Sequence, residues 1–291
     1  MTLVATWTRT SQMGSELWIM SDSRLSGGKY WDYGPKIFSI GRSDALIAFA
    51  GETAWTYPLI AQISSYVESF VNLRERVIDL ADAYELIIQM LNESLAFISK
   101  PAHPSLKVPD CSFIFAGFSS RRKDFIVRRI TFNTKRHQFE GFAARKLGGE
   151  LISLIGDEAP RTALARRISE RRKTGGGIGF KLGMVPAEEF CEILSSKKFT
   201  DIGGAPQVAK VYQNMSQTHF GVYWPPDVPT EEQRIYLRGR RLGKYDVLDH
   251  PWVYDPSYAK LFWHDFSPDA RRKNSVMPSE LADFQGLKLA Q

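Results

Sequence analysis

Hydrophobic periodicity along the chain falls into alternating blocks, and the order of these blocks is the feature that most restricts the fold. Alternating apolar and polar residues predict strands, and apolar residues with a helical period predict helices. The blocks predict strands at residues 3–9, 16–21, 36–40 and 45–50, helices at 53–70 and 77–98, strands at 111–118 and 124–132, helices at 159–172 and 186–196, and strands at 207–212 and 219–224. Hairpins of strands imply antiparallel sheets, and two separate helical pairs predict a helical layer on each side of them.

The composition of the chain changes after Trp224. Seven of the 15 prolines lie between Pro225 and Pro278, with aromatic residues among them. We therefore predict a domain over residues 1–224 and an extension over residues 225–291 that packs on this domain or on a partner.

Composition excludes several classes of protein. With 43% apolar and 24% charged residues, the chain of 291 residues is typical of a globular protein. It contains no apolar run of about 18 residues, so we expect no membrane span. The start of the chain does not resemble a signal peptide, which favours the cytoplasm. Two cysteines, Cys111 and Cys191, form neither a disulfide framework nor a zinc site. The five histidines lack metal-ligand spacing, and no metal or organic cofactor is expected.

Basic residues occur in clusters, and the net charge is +6. The clusters are Arg121-Arg122-Lys123, Arg166-Arg167, Arg171-Arg172-Lys173, Arg238 to Arg241, and Arg271-Arg272-Lys273. They could bind an acidic partner such as nucleic acid, or they could be ordinary solvated surface. The clusters are scattered and several adjoin predicted turns or helix ends, which favours the second interpretation.

Thr2 is the candidate nucleophile. Aminopeptidases usually remove an initiator methionine that precedes a small residue, and Thr2 would then become the first residue. A terminal threonine carries both a hydroxyl nucleophile and an α-amine whose pKa is about 7.7–8.0. Because many chains begin with these two residues, the signal needs support from elsewhere in the sequence.

Residues downstream of Thr2 provide that support. Asp22 follows a predicted strand that runs antiparallel to the one after Thr2, and Lys36 begins the next strand. Gly51 lies between a strand and a helix, where backbone N–H groups lack helical partners. A nucleophile, a carboxylate paired with a lysine, and a glycine N–H that faces an oxyanion are the parts of a hydrolase site. Alternatively, Asp22 could cap a turn with Lys36 as its surface partner, and Gly51 could merely permit a tight turn.

These motifs resemble those of proteasome β-subunits and their bacterial proteasome-like relatives, within the N-terminal nucleophile (Ntn) hydrolases. The similar segments are Thr2, Asp22-Ser23-Arg24, Lys36-Ile37-Phe38, Ala50-Gly51-Glu52-Thr53-Ala54, residues 111–117, Leu154-Ile155-Gly156-Asp157 and Asp201-Ile202-Gly203-Gly204. The resemblance covers about residues 2–224. It implies an α+β fold, a four-layer α-β-β-α sandwich with two antiparallel sheets, and assembly into a homo-oligomer such as a ring or stack.

The resemblance also implies roles for individual residues. Thr2 would attack the carbonyl of a peptide or related amide, with its own α-amine as general base. Lys36 would lower the pKa of the nucleophile, Asp22 would hold Lys36 charged, and the Gly51 N–H would stabilise the oxyanion. Asp201 would help to position the terminal amine. The implied activity is that of a threonine protease or amidohydrolase.

Two departures from the family pattern leave an alternative open. The family usually has a serine after the glycine that precedes its third helix, where this chain has Asp157, and a serine near the late glycine pair, where this chain has Gly203. In the family, both serines lie near the terminal amine. The alternative is therefore a catalytically silent subunit of the same fold that acts in assembly or binding.

Overall fold

The structure is a computed structural model. It describes residues 2–11, 14–27, 29–97, 109–175, 179–226, 228–229, 234–243 and 246–266. The predictions made for Met1, for the basic cluster Arg271-Arg272-Lys273 and for the end of the extension lie outside these residues.

Strands make up three sheets. Their bounds are β1 Leu3–Ser11, β2 Gly14–Ser21, β3 Leu25–Ser26, β4 Tyr30–Trp31, β5 Ile37–Ser39, β6 Ala45–Gly51, β7 Cys111–Ser119, β8 Asp124–Asn133, β9 Gln138–Ala143, β10 Arg145–Leu147, β11 Glu150–Gly156, β12 Gln207–Tyr212, β13 Gln217–Trp224, β14 Arg234–Leu237, β15 Arg240–Arg241, β16 Trp252–Asp255 and β17 Lys260–Trp263. The large sheet has the order β10-β11-β1-β2-β12-β13-β14-β15, with β16 beside β13 and β17 beside β16. A second sheet has the order β5-β6-β7-β8-β9, and β3 pairs with β4. All pairs are antiparallel except β13 with β16.

Helices follow the two blocks of helical periodicity. Their bounds are α1 Thr53–Ser69, α2 Val71–Arg74, α3 Leu80–Ser94, α4 Glu158–Thr174 and α5 Val185–Ser195. Each predicted strand and helix has a counterpart at nearly the predicted position. Periodicity in the sequence does not predict β3, β4, β9 and β10 or the strands after Trp224, and the strand β11 is expected only through the resemblance.

Buried apolar side chains form three clusters that connect the sheets and helices. One cluster joins the large sheet to the five-stranded sheet, for example Ile19 with Ile114. A second joins helices α1 and α3 to the five-stranded sheet, and it contains Ile63. The third joins α4 and α5 to the large sheet, and it contains Leu164 and Phe190. The protein thus has a mixed helix and strand fold in which antiparallel sheets carry most of the core.

Strands after Trp224 continue the large sheet. Both β14 and β16 pair with β13, and Tyr254 of β16 is fully buried in the same cluster as Trp18. The described part of the predicted extension therefore packs on the sheet that also contains β1. The domain boundary at residue 224 stays a prediction.

No helix in the described part of the chain has both the length and the apolar character needed to cross a membrane.

Candidate active site

The topology of the large sheet brings the start of β1 and the end of β2 together. Strand β1 lies between β11 and β2, and Val4 of β1 is opposite Ser21 of β2. Thr2, just before β1, and Asp22, just after β2, therefore lie at the same edge of the sheet. Both residues are buried.

Lys36 joins these two residues from the other sheet. It directly precedes β5, and its side chain is fully buried. Its Nζ donates to the Thr2 hydroxyl at 2.9 Å and to Asp22 Oδ1 at 2.8 Å. Burial lowers the pKa of Lys36, and the charge and hydrogen bond of Asp22 oppose this effect. A hydroxyl that accepts a hydrogen bond from a buried ammonium is easier to deprotonate, because the ammonium stabilises the alkoxide.

Asp22 is held in place by four donors. Its Oδ1 accepts from Leu3 N at 3.0 Å as well as from Lys36. Its Oδ2 accepts from Arg24 N at 3.2 Å and from Gly203 N at 3.1 Å. These donors fix the position of the carboxylate, and Lys36 is its buried ion-pair partner. The glycine that replaces the expected serine thus supports Asp22 through its backbone N–H.

Gly51 is the last residue of β6. Its φ is +112°, and a Cβ there would lie 2.2 Å from the Asp110 carbonyl oxygen, so the position requires glycine. Gly51 of β6 lies opposite Cys111 of β7, and the next residue, Glu52, donates its backbone N–H to Asp110 O. In an antiparallel sheet this pattern means that Gly51 and Cys111 exchange no backbone hydrogen bonds with each other. The Gly51 N–H therefore points away from β7. Two residues earlier in β6, Phe49 N donates to Lys36 O. Because N–H groups two residues apart in a strand point the same way, the Gly51 N–H points toward the segment that contains Lys36.

Asp157 is a site residue that the sequence analysis assigned no role in the site. Its Oδ2 accepts a hydrogen bond from Thr2 N at 2.6 Å, and Asp157 N donates to Thr2 O at 2.9 Å. Burial raises the pKa of Asp157, the hydrogen bond from Thr2 N opposes this, and the charges of Asp22 and Asp201 raise the pKa further. The signal in the sequence is the aspartate at a position where the family usually has a serine. Taken alone, this replacement indicates only that a hydroxyl near the terminal amine is missing.

Asp201 lies in the turn before Ile202 and is partly buried. It acts on the site through its charge, which raises the pKa of Asp157. The described hydrogen bond of Thr2 N goes to Asp157, and the proposed contact of Asp201 with the amine stays a prediction. Thr2, Asp22 and Lys36 are thus in direct contact, while Gly51 and Asp201 lie around them.

Gln207 is a second residue that the sequence analysis missed. It is buried at the start of β12, and its Oε1 accepts from Lys36 N at 3.0 Å. Its Nε2 donates to the carbonyl oxygens of Asp22 and Gly34. The side chain therefore ties the backbone of both charged residues to the large sheet. A glutamine in a strand has no sequence signature for this role.

Within the described ranges, no group of three or more His, Cys, Asp and Glu side chains could hold a metal ion. A comparison of the sequence with models of protein families finds no match, and a comparison with curated proteins finds none.

Proposed function

We propose that the protein is a threonine-type hydrolase of peptide or related amide bonds, with Thr2 as the nucleophile after removal of Met1. The observation that carries the proposal is the buried contact among Thr2, Lys36 and Asp22. The Thr2 hydroxyl accepts a hydrogen bond from an ammonium that is itself held by a fully buried carboxylate.

The reaction follows from the position of each group. The Thr2 α-amine takes the hydroxyl proton as Oγ attacks the substrate carbonyl, and Lys36 stabilises the developing negative charge on Oγ. The Gly51 N–H donates to the oxyanion of the tetrahedral intermediate. The C–N bond then breaks, and the leaving amine takes the proton from the Thr2 ammonium. Water hydrolyses the resulting ester, which releases the acid and restores the hydroxyl.

We further propose that the fold is the four-layer α-β-β-α sandwich of the proteasome-like Ntn hydrolases. The three core clusters support this arrangement, because one contains strands of both sheets and the other two each join helices to a single sheet. The order of the motifs along the chain supports membership of that family. Assembly into a homo-oligomer and a location in the cytoplasm belong to the same proposal.

An intact-mass measurement tests the proposed nucleophile. The purified protein is incubated with a peptide α′,β′-epoxyketone, whose two electrophilic carbons can take up a hydroxyl and an amine on the same residue. We expect a form that lacks Met1 to gain one adduct, mapped to Thr2 by fragmentation. Thr2→Ala should abolish the adduct, while Thr10→Ala, an exposed threonine at the far end of β1, should label like the parent protein.

Three results would contradict the proposal. Retention of Met1 would leave Thr2 without a free amine and exclude it as the base. Complete removal of Met1 without any adduct would favour the catalytically silent subunit, which the absence of the two serines at Asp157 and Gly203 supports. Labelling that persists in Thr2→Ala would place the nucleophile elsewhere.

A further inference from the structure

We propose that Asp157 is a positioning residue: its carboxylate holds the free amine of Thr2 beside the Thr2 hydroxyl and sets the pH range in which that amine can act as a base. This inference rests on the proposed function, because the amine is free only when Met1 has been removed.

The Asp157 side chain binds Thr2 and does not cap its own helix. Asp157 occupies the N-cap position of α4, where an aspartate usually accepts a hydrogen bond from the first turn. Its side chain makes no such cap bond, and Oδ2 instead accepts from Thr2 N at 2.6 Å. A carboxylate that leaves its helix end uncapped in favour of a residue 155 positions away is aimed at that residue.

Backbone contacts fix the distance between Asp157 and Thr2. Asp157 N donates to Thr2 O at 2.9 Å, so hydrogen bonds run in both directions between residues 2 and 157. Gly156 has a φ of +122°, and a Cβ there would lie 2.0 Å from the Thr2 carbonyl oxygen. The close approach of the two chain segments therefore depends on glycine at this position.

Charged groups near Thr2 include the ammonium of Lys36, at the Thr2 hydroxyl, and the carboxylates of Asp22 and Asp201, which act on Asp157. Arg24 interacts with Asp22 and forms an ion pair with Asp32, whose charge also acts on Lys36. A carboxylate that accepts a hydrogen bond from Thr2 N at 2.6 Å favours the protonated form of the free α-amine. A hydroxyl in place of Asp157 would lack this effect. We therefore expect the Thr2 amine to lose its proton at a higher pH than an ordinary terminal amine, and the site to be most active in alkaline solution.

Carbamoylation by cyanate tests this inference without requiring hydrolysis. Cyanate reacts with the unprotonated amine, so the rate at Thr2, followed by mass spectrometry of the terminal peptide from pH 6 to pH 10, gives the titration midpoint of the amine. In the full-length protein without Met1, Asp157→Asn should lower this midpoint by about one pH unit. Near neutral pH, this shift makes carbamoylation of the variant as much as tenfold faster than that of the parent protein, when each rate is divided by its own plateau at high pH. Asp157→Ser should give a shift in the same direction.

Glu158→Gln is the matched control. It removes a carboxylate from the adjacent, exposed position of α4, and the midpoint should stay where it is in the parent protein. Epoxyketone labelling of the same variants should follow the same pH profiles, with a lower plateau for Asp157→Ala because the amine is no longer held.

The outcomes separate the two proposals. An unchanged midpoint in both Asp157→Asn and Asp157→Ser would overturn the positioning role, even if the protein labels with the epoxyketone. A shifted midpoint without any epoxyketone adduct would support the contact between Asp157 and the amine while contradicting the proposed hydrolase. A Thr2 amine that resists cyanate at every pH in every variant would also overturn the inference, because it requires a free base in alkaline solution.

Discussion

Asp22 has a structural role that can be measured separately from catalysis. Each of its carboxylate oxygens accepts two hydrogen bonds, and Lys36 is its buried partner. In Asp22→Asn, an amide NH₂ would face donors where an oxygen now accepts, and the ammonium of Lys36 would lose its counter-charge. We expect the free energy of unfolding in urea to fall by about 3 kcal/mol.

Asp124→Asn is the control for this prediction. The Asp124 side chain is exposed at the start of β8 and accepts from Phe125 N. The same chemical change there should alter stability by no more than about 0.5 kcal/mol. Equal effects of the two substitutions would contradict the assigned role of Asp22.

Individual site residues differed in how well the sequence predicted them. Thr2, Asp22 and Lys36 were predicted from chemistry that their order along the chain supports, and the structure brings these three side chains into contact. Asp157 and Gln207 were missed, because their roles depend on contacts between segments distant in the chain. A sequence pattern shows which residue types are present but not which side chain turns toward a neighbouring strand.

Helix α3 begins at a cap that depends on pH. Asp79 accepts from Ala81 N at 3.0 Å and also from Ser119 Oγ and Arg121 N. Burial alone would raise the pKa of Asp79, but these hydrogen bonds outweigh it and lower the pKa from 3.8 to about 2. The folded state thus favours the ionised carboxylate of Asp79. The stabilisation that this carboxylate contributes is complete above about pH 4 and is lost as the pH falls toward 2.

Because the pKa of Asp79 is lowered in the folded state, the effect of Asp79→Ala on stability should depend on pH. At pH 7 the variant should be less stable than the parent protein by about 1 kcal/mol, and the difference should shrink as urea unfolding is repeated at successively lower pH from 5 to 3. Glu52→Ala is the control, since Glu52 caps α1 by position only and its side chain makes no cap bond. A difference for Asp79→Ala that does not depend on pH would contradict the role of its charge.

Element prediction succeeded where a segment has strong periodicity of its own. Helix α3 and the hairpin of β1 and β2 are examples, since their apolar faces are visible in the sequence. The short strands β3 and β4 were missed because two residues carry no measurable period. Strand β10 was missed for the same reason: its three residues are a strand only because they pair with β11.

At the scale of the whole molecule, Tyr254 tests how firmly the chain after Trp224 belongs to the core. It is fully buried, and its ring contacts Trp18 at a centroid distance of 6.1 Å. Tyr254→Ala should therefore lower the free energy of unfolding by about 3–5 kcal/mol. Tyr258→Ala, at an exposed position of the same hairpin, should cost about 0.5 kcal/mol or less.

The hydroxyl of Tyr254 gives this prediction a second part. It is buried without a hydrogen-bond partner among the described residues. Tyr254→Phe keeps the ring and removes the unsatisfied oxygen, so urea unfolding should show unchanged or slightly higher stability. A large loss in Tyr254→Phe would mean that the hydroxyl has a partner, and a small loss in Tyr254→Ala would mean that the extension is not part of the core.

Positive charge on the surface is partly neutralised within the molecule. Arg121 pairs with Asp82, Arg171 pairs with Glu188 and Glu189, and Arg240 pairs with Asp246. These contacts agree with a solvated surface for the described basic clusters. An acidic partner stays a prediction.

The type and order of the main elements, and the residues with the chemistry of a nucleophile and an ion pair, can be predicted from the sequence. Both depend on properties that are local in the chain, namely the period of apolar residues and the identity of side chains. Three contacts became known from the folded structure alone: Asp157 accepts from Thr2 N, Gln207 ties the backbones of Asp22 and Lys36 to the large sheet, and Tyr254 packs in the core. Such contacts follow from the packing of sheets, which brings together segments that share no local pattern.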